Sequence, residues 1–187
     1  MFINRRQRGL TLIELIVFIV IVSVAMVGVL IVLNVTTRSS ADPMIRKQLL
    51  AVAEAVLEEV MLQPFTWCDP DDLLAATAAN SAGCTGGTGG ANDESKLPLG
   101  AEAGETRAPG STSPLDNVSD YNGVPIAAGI TGAALPTGYS ATVAVAQDSL
   151  NGIAATESLL ITVTASRGGD SITLQGYRTR HSPNLLP

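Results

Sequence analysis

The stretch "RGLTLIELIVFIVIVSVAMVGVLIVL", residues 8–33, decides how the chain is organised. Its part from Leu15 to Leu33 contains no charged residue. As an α-helix this part would be about 28 Å long, which matches the roughly 30 Å hydrocarbon core of a membrane. The sequence therefore predicts one transmembrane helix near the N-terminus.

Basic residues flank this helix unequally. Arg5, Arg6 and Arg8 precede it, whereas only Arg38 follows it closely. Because positively charged flanks are retained on the cytoplasmic side, we expect a short cytoplasmic N-terminus and an extracytoplasmic remainder.

Glu14 is the residue that a simple membrane helix does not explain, since an ionised carboxylate in hydrocarbon costs about 2.5 to 3.5 kcal/mol. A secretory signal would have a shorter apolar region and a small-residue cleavage site, which only residues 39–41 loosely offer. A permanent membrane anchor gives Glu14 no role. A twin-arginine signal would rest on Arg5 and Arg6 alone.

The residues around Glu14 resemble the class III signal of type IV pilins and pseudopilins. In "GLTLIE", Gly9 follows a short basic leader and precedes the long apolar helix. The resemblance implies that a prepilin peptidase removes residues 1–9, cutting between Gly9 and Leu10, and methylates the new amine of Leu10. It also implies that Glu14 contacts the terminal amine of a neighbouring subunit in a filament. Leu10 departs from the Phe that is usual in the family.

The next segment, residues 34–66, is expected to be an amphipathic stalk helix that follows the membrane and assembly helix of residues 10–33. Asp42 and Pro43 are typical of a helix start, and the residue before a proline avoids the helical conformation, so we expect a kink within residues 39–43. The apolar stripe recurs every three or four residues: Met44, Ile45, Leu49, Val52, Ala53, Val56, Leu57, Val60 and Met61. The charged residues lie largely on other faces: Lys47, Glu54, Glu58 and Glu59.

Residues 67–187 are expected to form a small head. Within it, residues 69–117 are rich in Gly, Ala, Ser and Asp, which predicts a loop-rich insertion with at most one helical turn over residues 71–79. Residues 139–179 alternate in the manner of strands and predict an antiparallel meander. The tail, residues 180–187, is expected to fray.

The predicted fold class is therefore α+β, with a long N-terminal helix packed on a small antiparallel sheet. Turns of the meander are expected at Asn151–Gly152 and at Gly168–Gly169. The resemblance implies the same architecture, because it is the type IV pilin fold.

Cys68 and Cys84 are the only cysteines of the chain. Disulfides persist outside the cytoplasm, where we place the head, so the sequence predicts a bond between them. Closing such a loop restricts the unfolded chain by roughly 3 kcal/mol. A redox or metal-binding pair would need further soft ligands, which the neighbouring sequence lacks.

Two acidic segments, "CDPDD" and "DNVSDYNG", offer oxygen ligands. Since Ca²⁺ takes 6 to 8 oxygens, one interpretation is a calcium site with ligands Asp69, Asp71, Asp72, Asp116 and Asp120. Neither segment has EF-hand spacing, and Asp, Asn and Pro are equally typical of turns. No other metal and no organic cofactor is expected.

Charge and motifs exclude two functional classes. A net charge of -6 makes nucleic acid a poor partner. The single histidine, His181, lies in the tail, and no phosphate loop or dinucleotide fingerprint is present, so we expect no enzyme.

Two further segments, residues 41–72 and 116–123, resemble a minor pilin type of mannose-sensitive hemagglutinin (MSHA) pili. This resemblance implies a minor subunit that is stored in the inner membrane by a single pass. It also implies that the pilus assembly machinery joins the subunit to other pilin subunits in a surface pilus. PilV-type minor pilins, the I-type minor pseudopilin of type II secretion and a membrane-anchored adhesive module remain alternatives.

Overall fold

The computed structural model describes Gly9 and residues 11–184, with the backbone alone for residues 35–42. A helix, α1, spans Leu12–Leu62. Four antiparallel strands form one sheet in the order β1-β2-β3-β4: β1 Pro125–Ile126, β2 Tyr139–Gln147, β3 Ser158–Arg167 and β4 Asp170–Thr179. This confirms the predicted α+β class. The chain divides into two compact units between Met44 and Ile45.

The first unit contains one helical segment that is long and apolar enough to cross a membrane, Leu12–Asn34, among the residues that the structure describes. None of its most apolar window is buried within the chain. The hydroxyl of Ser23 donates to the carbonyl oxygen of Ile19 at 2.7 Å. This hydrogen bond satisfies a polar side chain that would otherwise face hydrocarbon.

Asp42 and Pro43 lie inside α1 and do not begin a second helix, which corrects the sequence-based expectation. A proline inside a helix removes one backbone hydrogen bond and costs about 3 kcal/mol. The boundary between the two compact units lies one residue after this proline, between Met44 and Ile45. A kink within residues 39–43 stays a prediction.

In the second unit, the C-terminal part of α1 packs on β2 and β3. Alternate residues of both strands point inward, and they share one core with the helix: Leu49, Ala53, Val56, Val60, Tyr139, Ala141, Val143, Val145, Leu159, Ile161, Val163 and Ala165. Ile45, Val52, Leu57 and Met61 are partly buried against this core. The predicted stripe is therefore confirmed except at Met44, which is 63% exposed.

The turns of the meander lie where the sequence predicts them. Arg167 pairs with Asp170 across the turn at Gly168, whose φ is 59°. Asn151 and Gly152 both have positive φ, as a tight hairpin turn requires. The short β1, which pairs with β2, was not predicted.

The insertion, residues 69–117, is fully described and contains a single short 3₁₀ turn, Ser81–Gly83. Over residues 71–79, where at most one helical turn was expected, the backbone forms successive hydrogen-bonded turns, and one of them has the i to i+4 hydrogen bond of a single helical turn, from the N–H of Ala78 to the carbonyl oxygen of Leu74 at 2.9 Å. Because its backbone groups are paired in turns, the insertion is a folded loop region without a helix or a strand of the sheet.

The tail is docked as far as it is described, contrary to the expectation of fraying. Arg180 is 8% exposed, and its guanidinium lies 3.8 Å from the ring centroids of both Phe65 and Trp67. The side-chain amide of Asn184 donates to the carbonyl oxygens of Ala75 and Ala78 at 2.8 and 2.9 Å. These contacts fix the described part of the tail to the segment that follows α1 and to the insertion.

Leu159 and Leu73 form a matched pair for testing the core, because Leu159 is 0% and Leu73 is 96% exposed. We expect Leu159→Ala to lower the free energy of unfolding by about 2 to 5 kcal/mol, and Leu73→Ala to change it by less than about 0.5 kcal/mol. The measurement is urea unfolding of the detergent-solubilised chain, followed by the fluorescence of Trp67, its only tryptophan. Equal losses in the two variants would contradict this core.

Candidate functional site

The start of α1 is a capped helix terminus. Gly9 is exposed and lies outside the helix, which begins at Leu12. The side-chain oxygen of Thr11 accepts a hydrogen bond from the backbone N–H of Glu14 at 3.4 Å, and its carbonyl oxygen accepts from the same N–H at 3.1 Å. Thr11 is therefore the N-cap. Leu10, the predicted site of methylation, lies outside the described residues.

Glu14 is exposed in the first turn of α1. Thr11 and Glu14 have the spacing of a capping box, a signal in the sequence that we did not use. A carboxylate at this position also interacts favourably with the helix dipole. The ion pairs among the described residues are Glu59 with Arg107 and Glu157 with Arg180, so Glu14 has no cationic partner in that part of the chain.

The predicted disulfide is present between Cys68 and Cys84, with an S–S distance of 2.06 Å. Asp72 lies beside it and is 5% exposed. Its Oδ1 accepts from the N–H of Leu74 at 3.0 Å and from the hydroxyl of Thr85 at 2.7 Å, while its Oδ2 accepts from the N–H of Thr85 at 2.7 Å. Burial opposes ionisation, but these hydrogen bonds hold the pKa of Asp72 below its ordinary value.

The structure therefore separates Asp72 from the other aspartates proposed as calcium ligands. Both of its oxygens already accept hydrogen bonds. The two sulfur atoms near it are bonded to each other and cannot serve as thiolate ligands. Asp72 supports the disulfide loop.

The other four aspartates belong to a larger group, which we call the carboxylate cluster: Asp69, Asp71, Glu94, Glu102, Glu105, Asp116 and Asp120. It consists of overlapping triplets in which one oxygen from each residue lies within 4.8 Å of the others. A cavity of about 540 Å³ adjoins the cluster and is lined by four of its members, Asp69, Glu94, Glu102 and Glu105, together with Lys96. The loop segments that contain Asp69, Glu94 and Glu102 thus meet the segment around Asp120.

Glu94 and Asp120 are the most buried members, at 3% and 0% exposure. Asp120 Oδ2 accepts from the N–H groups of Asp116 and Asn117, at 3.1 and 2.7 Å. One oxygen of Glu94 accepts from the hydroxyl of Ser119. Four buried cluster oxygens accept no hydrogen bond from a group outside the cluster: Glu94 Oε1, Glu102 Oε2, Asp116 Oδ1 and Asp120 Oδ1.

Burial and mutual repulsion make the cluster hard to ionise. Burial and the charge of Asp69 raise the pKa of Asp116 to about 7, and burial and the charge of Glu102 do the same for Asp120. Burial and a contact with Glu102 raise the pKa of Glu105 to about 9. Burial also raises the pKa of two further members: Asp69 and Glu94. The arrangement can bind protons or cations.

Sequence analysis missed several of these residues. Glu94, Glu102 and Glu105 are distant in sequence from the two acidic segments, and nothing local marks them as partners. Glu59 was expected on an outer face of α1, but its Oε1 accepts from Arg107 Nε at 2.7 Å and from the Tyr121 hydroxyl at 2.9 Å. This ion pair ties the insertion to the helix.

Residues 4–30 match the prokaryotic N-terminal methylation motif. No curated protein and no solved structure matches the chain. The motif indicates a type IV pilin-like or pseudopilin protein that a prepilin peptidase processes and that assembles with other pilin subunits. The long apolar helix and the four-stranded antiparallel sheet are consistent with the type IV pilin fold. The motif points to a structural protein that is first anchored in a membrane, not to an enzyme.

The raised pKa values predict how stability depends on pH. Asp116, Asp120 and Glu105 have ordinary pKa values near 4 when unfolded, so between about pH 4 and pH 9 the folded state binds more protons than the unfolded state. The free energy of unfolding in metal-free buffer should therefore fall as the pH rises through this window.

The test is urea unfolding of the detergent-solubilised chain at pH 5 and pH 8 with a chelator present. A His181→Gln background removes the only histidine. Asp116→Asn should flatten the decrease, whereas Asp170→Asn, which removes an exposed carboxylate, should not. Stability that is constant or rises between these pH values would contradict the electrostatics of the cluster.

Proposed function

We propose that the chain is a minor type IV pilin subunit of the MshD type found in MSHA pili. The observation that carries this proposal is the methylation motif at residues 4–30, which coincides with an exposed glycine directly before a capped apolar helix. The resemblance of residues 41–72 and 116–123 to MSHA minor pilins supports the finer assignment. A minor pseudopilin of type II secretion is the alternative, since it carries the same kind of N-terminal signal.

Maturation is the first step of this function. Gly9 is exposed and lies outside α1, as cleavage after it by a peptidase at the membrane edge would require. A methyl group added at Gly9 would meet no atom within 4 Å. The fold therefore does not require glycine here, and the requirement would come from the peptidase. The basic leader would hold this site on the cytoplasmic side, and the head would be exported.

Assembly is the second step. The helical segment Leu12–Asn34 exposes its apolar side chains on all sides, and these can be covered by lipid before assembly and by helices of other subunits after it. Glu14 would move with the helix into an apolar filament core, where a lone charge costs several kcal/mol. The amine of Leu10 on a neighbouring subunit would supply the opposite charge. This pair would also set the axial register between subunits.

Gly9 and Gly28 give a matched test of maturation, because an added side-chain carbon meets no atom within 4 Å at either position. In cells with a working prepilin peptidase, wild type and Gly28→Val should lose residues 1–9 and gain one methyl group. Gly9→Val should keep Met1. Intact-mass analysis of membrane fractions measures all three. Normal processing of Gly9→Val, or an unprocessed wild type, would refute the pilin assignment.

Variants of Glu14 test the assembly contact against helix capping. Glu14→Ala and Glu14→Gln should both insert and be cleaved normally, but enter pili at least about tenfold less than wild type, since removing one partner of a buried ion pair costs more than 1.4 kcal/mol. Thr11→Val removes the side-chain cap but keeps the carboxylate, so it should enter pili nearly as well as wild type.

Sheared pili and whole cells from each strain are compared by immunoblotting. Efficient entry of Glu14→Ala would show that the carboxylate is not the assembly contact. Because Gln can also complete a capping box, rescue by Glu14→Gln alone would assign Glu14 to helix capping. Absence of the wild-type chain from sheared pili would favour the pseudopilin alternative.

A further inference from the structure

The carboxylate cluster concentrates acidic side chains without a basic side chain paired to them. Its seven members come from four places in the chain: Asp69 and Asp71, Glu94, Glu102 and Glu105, and Asp116 and Asp120. Neither ion pair of the described residues includes a member of the cluster. Lys96 lines the adjoining cavity, and Arg180 acts on Glu94 only through longer-range electrostatics while it stacks between two aromatic rings.

The hydrogen bonding of the cluster is the second, independent observation. Four of its buried oxygens, on Glu94, Glu102, Asp116 and Asp120, accept no hydrogen bond from a group outside the cluster. Glu94 and Asp120 are at least nine-tenths buried, so bulk water does not satisfy them. Buried polar atoms are nearly always hydrogen-bonded, and buried charges are paired or coordinate metals. Oxygens of this kind require protons or a cation as partners.

We propose that the carboxylate cluster is a calcium-binding site that fastens the loops of the insertion to the rest of the head. The donors are all carboxylate oxygens, which suits a hard cation and does not favour zinc or copper. Each triplet of the cluster brings together three carboxylates, which can supply up to six of the 6 to 8 oxygen ligands that Ca²⁺ takes, whereas Mg²⁺ keeps several waters and is usually held by one or two carboxylates. The proposal does not depend on assembly into a pilus.

The competing explanation is that neighbouring carboxyl groups share protons. The two explanations differ in what the free carboxylates do to the fold. If Ca²⁺ is the partner, repulsion between the carboxylates destabilises the metal-free head at neutral pH, and bound calcium removes this destabilisation. If protons are the partners, adding calcium leaves the Tm of the chain unchanged.

The experiment uses the full chain in detergent, stripped with a chelator and dialysed at pH 7.5. Calcium chloride is added to about 5 mM, above the roughly 10⁻⁴ to 10⁻³ M dissociation constants of extracellular calcium modules. Thermal unfolding is followed by the fluorescence of Trp67, and binding by calorimetry. We expect calcium to raise Tm by at least about 3 °C, and magnesium chloride to bind at least about tenfold more weakly.

Glu102→Gln and Asp116→Asn remove charge at two oxygens that make no hydrogen bond. Each should be at least as stable as wild type without calcium, because repulsion is reduced, yet bind calcium at least about tenfold more weakly. Asp170→Asn changes a residue outside the cluster, so its Tm should rise with calcium as much as the Tm of wild type does. A wild type that binds no calcium, or cluster variants that keep the full response, would overturn the proposal. Equal responses to magnesium and calcium would overturn the assignment to Ca²⁺.

Discussion

The segment Leu12–Asn34 buries none of its most apolar window against its own chain, and this constraint governs the rest of the molecule. In the proposed assembly such a surface is covered first by lipid and then by protein. This change of environment would make the single charge at Glu14 important, because a carboxylate that moves from the membrane edge into a protein interior needs a partner. The capped start of the helix at Thr11 sets where that charge lies.

Features with a local signature could be predicted from the sequence. The long apolar run predicts α1, the alternation within residues 139–179 predicts the antiparallel meander that β2, β3 and β4 form, and the paired glycines at Gly168 predict the turn between the last two strands. The disulfide was predicted from the presence of two cysteines in a head that the sequence analysis places outside the cytoplasm. In each case a short stretch of residues contains most of the physical cause.

Features that depend on contacts between distant residues could not be predicted. The carboxylate cluster was recognised only in its aspartates, because Glu94, Glu102 and Glu105 reach it through the path of the insertion. Arg180 was assigned to a frayed tail, although it donates to the carbonyl oxygen of Thr66, 114 positions away. The second helix expected to start at Asp42 and Pro43 does not form for another reason: α1 continues through Pro43 despite the hydrogen bond that a proline removes.

The Cys68–Cys84 bond also has a mechanical consequence. A subunit in a filament carries tension, and the chain that follows α1 reaches Cys68 only a few residues after Leu62. Any unfolding that began there would meet a covalent link across a sequence separation of 16 residues. At about 3.5 Å per extended residue, roughly 55 Å of chain could not be released under load. The bond therefore shortens the reach of a partly unfolded head and keeps the first part of the insertion, residues 69–83, together when the helix is pulled.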